Sequence, residues 1–219
     1  MKPTKPSFTF LFTMLVAGGI LLGCASTGIQ RSTEASTTMQ TMDSVIKLVV
    51  VQLGATGASL DELTKPGQSD VRKAFDLYTA NVSKLENLEK DFARHAEQME
   101  VRGREYFEEW QKDGDTYKSP EIQKLSEQRR LELTDIYGRI AQNSIGVKES
   151  FKAYVSESKE IQRYLSNDLT PRGIQAIEPI AVRAVLDGEI LNDSIRDLQS
   201  AIERAQVEMY QAGSTLPRS

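Results

Sequence analysis

Apolar positions recur at helical spacing from Met39 almost to the end of the chain. Met39, Met42, Ile46, Val49, Leu53, Leu60 and Leu63 fall on alternating steps of three and four, with Thr56 in the one gap. That spacing lines one face of a helix. Val45, Leu48, Val50 and Val51 widen the stripe, so the middle of this first helix is expected to be covered on most sides. The same run is β-branched, and Gly54 and Gly57 lower helix propensity, so a buried strand over Val45 to Leu53 is the competing reading. Lys65-Pro66-Gly67-Gln68-Ser69 breaks the pattern, and Ser69 is placed to cap the next helix.

The second helix carries the most regular stripe. Val71, Tyr78, Leu85, Phe92, Met99 and Tyr106 recur every seven residues, interleaved with Phe75, Val82, Glu89, Ala96, Gly103 and Trp110. Sustained heptads predict a long coiled-coil-like seam that ends at Asp113-Gly114-Asp115. Ser119-Pro120-Glu121 opens a third helix with a capping hydroxyl, a proline at the first helical position and an early acid. Its stripe runs from Leu133 through Tyr137, Ile140, Ser144, Val147, Phe151, Tyr154, Ser158 and Ile161 to Leu165. Thr170-Pro171 starts a fourth helix by the same logic, with a stripe from Ile174 to Met209. Small residues dominate its first half, so neighbours are expected to approach closely around Ala181 to Gly188. Pro179 lies inside it and predicts a kink.

Short connections between long helices force antiparallel neighbours. The expected fold is all-α: an elongated antiparallel up-and-down bundle with coiled-coil-like seams, three long helices plus a shorter first one. The bundle domain spans 39–212, and 213–219 is a frayed tail.

The chain before Met39 is different. Lys2 and Lys5 precede an apolar run from Phe8 to Leu22, the layout of an export signal and too short for a comfortable membrane span of roughly 20 residues. Residues 25–38 hold Ser26, Thr27, Ser32, Thr33, Ser36, Thr37 and Thr38 with few apolar side chains. They read as a mobile or weakly helical tether.

The charge is −4 over 219 residues and becomes −6 once Lys2 and Lys5 leave with the leader. This argues against a nucleic-acid binder, which needs a basic surface, and against general adsorption to anionic lipid. The chain holds one cysteine, Cys24, so no internal disulfide or cysteine metal cluster can form.

Leu21-Leu22-Gly23-Cys24 resembles the lipobox of bacterial lipoproteins. The resemblance implies removal of 1–23, acylation of Cys24 and a membrane anchor, with 24–38 as acylated cysteine and tether. The competing reading is a plain secretory leader. Ala25 in place of an aspartate resembles the release signal of outer-membrane lipoproteins, which implies the periplasmic face of that membrane. Residues from about 60 to 209 resemble an uncharacterised family of helical bacterial envelope proteins, a domain of unknown function. The matching stretches are Tyr106-Phe107 with Trp110, Ser119-Pro120-Glu121, the Ser126 to Leu133 run with Arg129 and Arg130, and Ile161-Gln162-Arg163-Tyr164-Leu165 leading to Asp168-Leu169-Thr170-Pro171. This resemblance implies a long helical fold and supplies no activity.

Candidate chemistry is sparse. His95 is the only histidine and flanks the second seam, without the partners that catalysis or zinc binding requires. Glu97, Glu100, Glu105, Glu108 and Glu109 sit among Arg94, Arg102 and Arg104 at spacings of a solvated, ion-paired helix surface. No catalytic residue, metal site or cofactor is expected. Tyr106, Phe107, Trp110 and Tyr117 cluster at the second hairpin, where they either plug the bundle or form an aromatic patch for a partner or glycan strand. Arg163 and Arg172 flank an acidic corner at the third turn that could meet a partner.

The expected function is that of a lipid-anchored periplasmic interaction or scaffold protein of the cell envelope, and not an enzyme. Its partners would be the membrane, through the lipid on Cys24, and an envelope protein or cell-wall component; a second copy could complete an open seam. The alternative is a chaperone-like or envelope-stress-sensing protein that opens an apolar seam.

Overall fold

A computed structural model describes residues 28–214, with side chains to Met209. The leader 1–23, Cys24 and the tail residues 215–219 lie outside the described residues; Gly213 and Ser214 still belong to the last helix. Four helices account for almost everything described: α1 (Gly28–Thr64), α2 (Val71–Gly114), α3 (Pro120–Asn167) and α4 (Pro171–Ser214). Among the described residues the packed pairs are α1 with α2, α2 with α3, α3 with α4 and α4 with α1. Among the described residues no diagonal pair brings its backbones together, so the helices stand at the corners of a square, each antiparallel to both neighbours.

All four helices are long, and the expectation of a shorter first helix is corrected. α1 has 37 residues and begins at Gly28 rather than Met39. The serines and threonines that read as a tether instead return their hydroxyls to the preceding turn: Thr33 donates to the Ile29 carbonyl (2.8 Å), Thr37 to that of Thr33 (2.8 Å) and Thr41 to that of Thr37 (2.9 Å). This bonding occupies groups that otherwise compete with the helix. Ala35 and Ser36 are buried there, so small side chains suffice to dock these turns. Across the bundle, Arg31 binds Asp113 at 2.5 Å.

The β-branched run of α1 is helical throughout, which removes the strand reading. Its seam, Val45, Ile46, Val49 and Leu53, is buried. The run is not covered on most sides, however: Leu48 and Val51 are 60% and 72% exposed. By length and composition α1 is apolar enough to cross a membrane, with a mean hydropathy of 1.2 in its richest window. In the fold its seam is packed against α2 and α4.

The caps follow backbone chemistry closely. Ser119 caps α3, its side chain accepting from the Ile122 amide, and Pro120 follows at the first helical position. α2 is capped by Asp70 rather than Ser69; the carboxylate accepts from the Lys73 amide at 3.0 Å. Gly67 takes φ 80° in the turn before it, a conformation that suits glycine. α4 continues through Pro179 without a break. The carbonyl that loses its donor there belongs to Gln175, an exposed residue, and water can satisfy it.

The α2 seam is less strictly heptad than its sequence suggests. Its buried positions, 74, 78, 81, 82, 85, 92, 96, 99, 103, 107 and 114, keep the heptad from 78 to 103 but fall off it at both ends, where the advance is close to the 3.6 residues of a straight helix turn. A strict seven-residue repeat drifts about 20° per heptad against that period, so Phe107 ends up buried while Tyr106 and Trp110 are half-buried. The core has two parts. One, from Met39 to Leu53 on α1 and from Leu85 to Phe107 on α2, is filled by large side chains such as Phe92, Met99 and Phe151. The other includes Leu60, Leu63, Tyr78, Leu165 and the small Ala74, Ala181 and Ala184. Between them Gln52 donates to Asn81 Oδ1 (3.1 Å), and Asn81 Nδ2 donates to the Ala55 carbonyl (3.1 Å).

Candidate functional site

The antiparallel order sorts the candidate residues by end. The start of α1, the α2–α3 hairpin and the close of α4 share one end, called here the proximal end. The α1–α2 and α3–α4 turns share the other, the distal end. Helices of 44 residues put about 66 Å between the two.

Tyr106, Phe107, Trp110 and Tyr117 all belong to the proximal end, but only three of them share one cluster. Tyr106 lies 5.0 Å from Phe107 and 5.6 Å from Trp110 between ring centroids, and Phe107 meets Tyr137 of α3 edge-on at 5.6 Å. Such tilted contacts add to the area each ring buries. The Trp110 indole N–H donates to Ser126 Oγ at 2.9 Å, which satisfies its one polar group as the ring goes under. Burial pushes the Tyr106 hydroxyl up from its ordinary pKa, against the opposing pull of Arg129 and Arg31. Tyr117 stands apart, 42% exposed in the connection.

Gly103 explains how Tyr137 enters the stack. A Cβ at Gly103 would sit 2.0 Å from Tyr137 Cε1, so the ring lies flush on the α2 backbone. From there the Tyr137 hydroxyl donates to the Met99 carbonyl at 2.5 Å. Burial raises its pKa well above the ordinary tyrosine range. The residues that complete the cluster, Tyr137, Ser126 and Arg31, come from α3 and α1. Tyr137 could be read from its stripe as core; nothing in the local sequence of Arg31 or Ser126 points to the hairpin.

Arg163 and Arg172 lie at the distal end, far from the aromatic cluster. Arg163 pairs with Glu160 one turn back on its own helix, and Arg172 is exposed in the first turn of α4. The turn between them is built by side-chain capping. Asp168 Oδ1 accepts from Thr170 Oγ1 (2.6 Å), and Thr170 Oγ1 accepts from the Gly173 amide (3.2 Å). Gly173 is required, because a Cβ there would fall 2.3 Å from the Asp168 carbonyl oxygen.

Two open grooves flank the proximal half. One of about 820 Å³ runs between α3 and α4 past Ile136, Arg139, Arg204 and Val207. Another of about 320 Å³ runs between α2 and α3 past Arg104, Phe107, Arg130 and Tyr137. His95 is half-buried on α2. Among the described residues no group of three His, Cys, Asp or Glu side chains could hold a metal ion. Acidic side chains of α2 pair along the helix surface, Arg102 with Glu105 at 2.8 Å and Lys112 with Glu109 at 2.6 Å. Exposed pairs of this kind contribute little to stability.

Comparison of the chain with protein-family models, curated proteins and solved structures finds no match.

Proposed function

We propose that this protein is a lipid-anchored helical spacer on the periplasmic face of the outer membrane, acting as a scaffold rather than an enzyme. The observation that carries the reading is the start of α1. Gly28 opens a helix four residues after the cysteine of a lipobox-like stretch, so an acyl group on Cys24 would hold the bundle close to the bilayer. A membrane anchor of this kind needs more than one acyl chain to be stable, and the lipobox chemistry would supply them. In this reading the distal end, with Arg163, Tyr164 and Arg172, stands roughly 66 Å out from the lipid. It is the end that reaches an envelope protein or cell-wall component, and recognition there is by side chains on helix ends and faces.

The test is a pair of measurements in cells. Replacing Cys24→Ser should move the protein from the membrane fraction to the soluble fraction with an unchanged helical signal; retention in the membrane overturns the anchor. Photo-crosslinking from Arg172 and Tyr164 should then capture one specific envelope component in the anchored form. If the same capture comes instead from Trp110 or Tyr117, the orientation is wrong.

A further inference from the structure

The proximal end carries apolar side chains that the fold leaves outside. Ile29 at the start of α1 is 80% exposed, Tyr117 in the hairpin 42%, and Ile122 and Leu125 on the first two turns of α3 are 52% and 67%. The elements that carry them meet at the hairpin. Arg31, one turn from Gly28, binds Asp113 at the end of α2 at 2.5 Å, which ties the first turn of α1 to the hairpin. The Tyr117 amide donates to the Gly114 carbonyl at 3.3 Å, and Ser119 caps the turn of α3 that carries Ile122.

Around them stand Lys112, Lys118 and Lys124, all exposed. Acids share the same turns: Asp113 is bound to Arg31 and Glu109 to Lys112, while Asp115, Glu121 and Glu127 are exposed. The surface is therefore apolar side chains set among charges of both signs, of which the lysines are the longest. Tyrosine and lysine suit the boundary of a bilayer, where an apolar body sinks and a polar tip stays wet.

What selects the occupant is the length of chain between anchor and helix. Three residues separate Cys24 from Gly28, and the four Cα-to-Cα steps from one to the other span at most about 14 Å. If Cys24 is acylated, this end cannot leave the headgroup region. We propose that Ile29, Tyr117, Ile122 and Leu125 form a seat that inserts into the lipid surface, so that the bundle stands on the membrane by its proximal end. The proposal rests on the anchored reading above and adds an orientation to it. The lipid alone would let the rod tilt and lie flat; the seat holds it upright and sends the distal end outward.

The experiment uses the full acylated chain in vesicles of phosphatidylethanolamine and phosphatidylglycerol carrying brominated acyl chains. Trp110 is the only tryptophan, so a Trp110→Phe background leaves a single reporter introduced as Tyr117→Trp or, at the distal end, as Tyr164→Trp. The Tyr117→Trp emission should be quenched several-fold more strongly than that of Tyr164→Trp. Adding Ile122→Glu and Leu125→Glu, at positions the fold leaves exposed, should abolish the difference while the protein still floats with the vesicles. A protein that floats with an unquenched Tyr117→Trp reporter overturns the seat and leaves the anchor standing. Blue-shifted but unquenched emission assigns the patch to a second copy, and equal quenching at both ends means that the rod lies flat; either overturns the seat. A chain that carries no acyl mass on Cys24 and does not float overturns both readings.

Discussion

The two ends of the bundle are closed by different physics. At the distal end the chain turns twice, and both turns are held by polar groups. Asp70 accepts from the Lys73 amide, Thr170 from that of Gly173, and Asp168 from the Thr170 hydroxyl, above a floor of Leu63 and Leu165. At the proximal end one hairpin, the start of α1 and the close of α4 meet, and aromatic rings do the closing: Tyr106, Phe107, Trp110 and Tyr137, with one indole hydrogen bond to Ser126. Caps satisfy backbone groups. Rings supply area instead. At the proximal end, apolar side chains such as Ile29, Ile122 and Leu125 are still left outside.

The largest test of that contrast is Phe107→Ala. The ring is 8% exposed and touches both Tyr106 and Tyr137, so truncation should cost about 3–5 kcal/mol from lost transfer and a residual cavity. Urea unfolding followed by far-ultraviolet circular dichroism reads this directly. A loss below about 1 kcal/mol would put the ring among ordinary surface side chains and end the distinction between the two closures.

Gly103→Ala comes next. Its Cβ would overlap three atoms of the Tyr137 ring, the nearest at 2.0 Å, and a rigid ring tied to Met99 has nowhere to go. Overpacking of this sort costs about 1–3 kcal/mol. Gly54→Ala on α1 is the matched control: nothing lies within 4 Å of its would-be Cβ, and the helix should gain up to about 1 kcal/mol. If both substitutions behave alike, the close approach of ring and backbone is not what positions the cluster.

These glycines also mark what the sequence could and could not disclose. The stripes of α2, α3 and α4 gave their helices, and Ser119 and Thr170 gave their starts, because periodicity and capping are local. The first turns of α1 were hidden, since Thr33, Thr37 and Thr41 look like solvent-seeking residues until their hydroxyls bond to the turn below. The exposure of Leu48 and Val51 was hidden for another reason: a square bundle covers only the side of α1 that faces α2 and α4. As for the candidate site, the aromatic composition of the hairpin was legible, and the up-and-down order already put it at the opposite end from Arg163 and Arg172. What was hidden is the division of the rings into a buried Phe107 and an exposed Tyr117, which depends on how α3 packs on α2. The choice of Asp70 over Ser69 as cap is a one-residue matter that neighbouring capping residues leave open.

At the distal end the corresponding substitution is milder. Thr170→Ala removes the hydroxyl that accepts from the Gly173 amide and bonds to Asp168, which should cost about 1 kcal/mol, the usual worth of an N-cap. Thr170→Ser keeps the acceptor and should recover most of it, measured in the same urea titration. A loss as large as that of Phe107→Ala would mean that the distal turn is held by more than its caps.

The smallest expected effect falls within the aromatic group itself. Tyr117 is 42% exposed, and its backbone rather than its ring is engaged in the hairpin, through the bond from its amide to the Gly114 carbonyl. Tyr117→Ser should therefore change unfolding free energy by less than about 0.5 kcal/mol. Its neighbour in the sequence cluster, Phe107, should change it several-fold more. Such a split would show that four aromatic residues close together in sequence divide into a buried stack that holds the end shut and one ring that the fold does not use. A loss from Tyr117→Ser comparable to that from Phe107→Ala would fuse the two again. The proximal surface would then be part of the core's closure, and the apolar seat would have to do without its tyrosine.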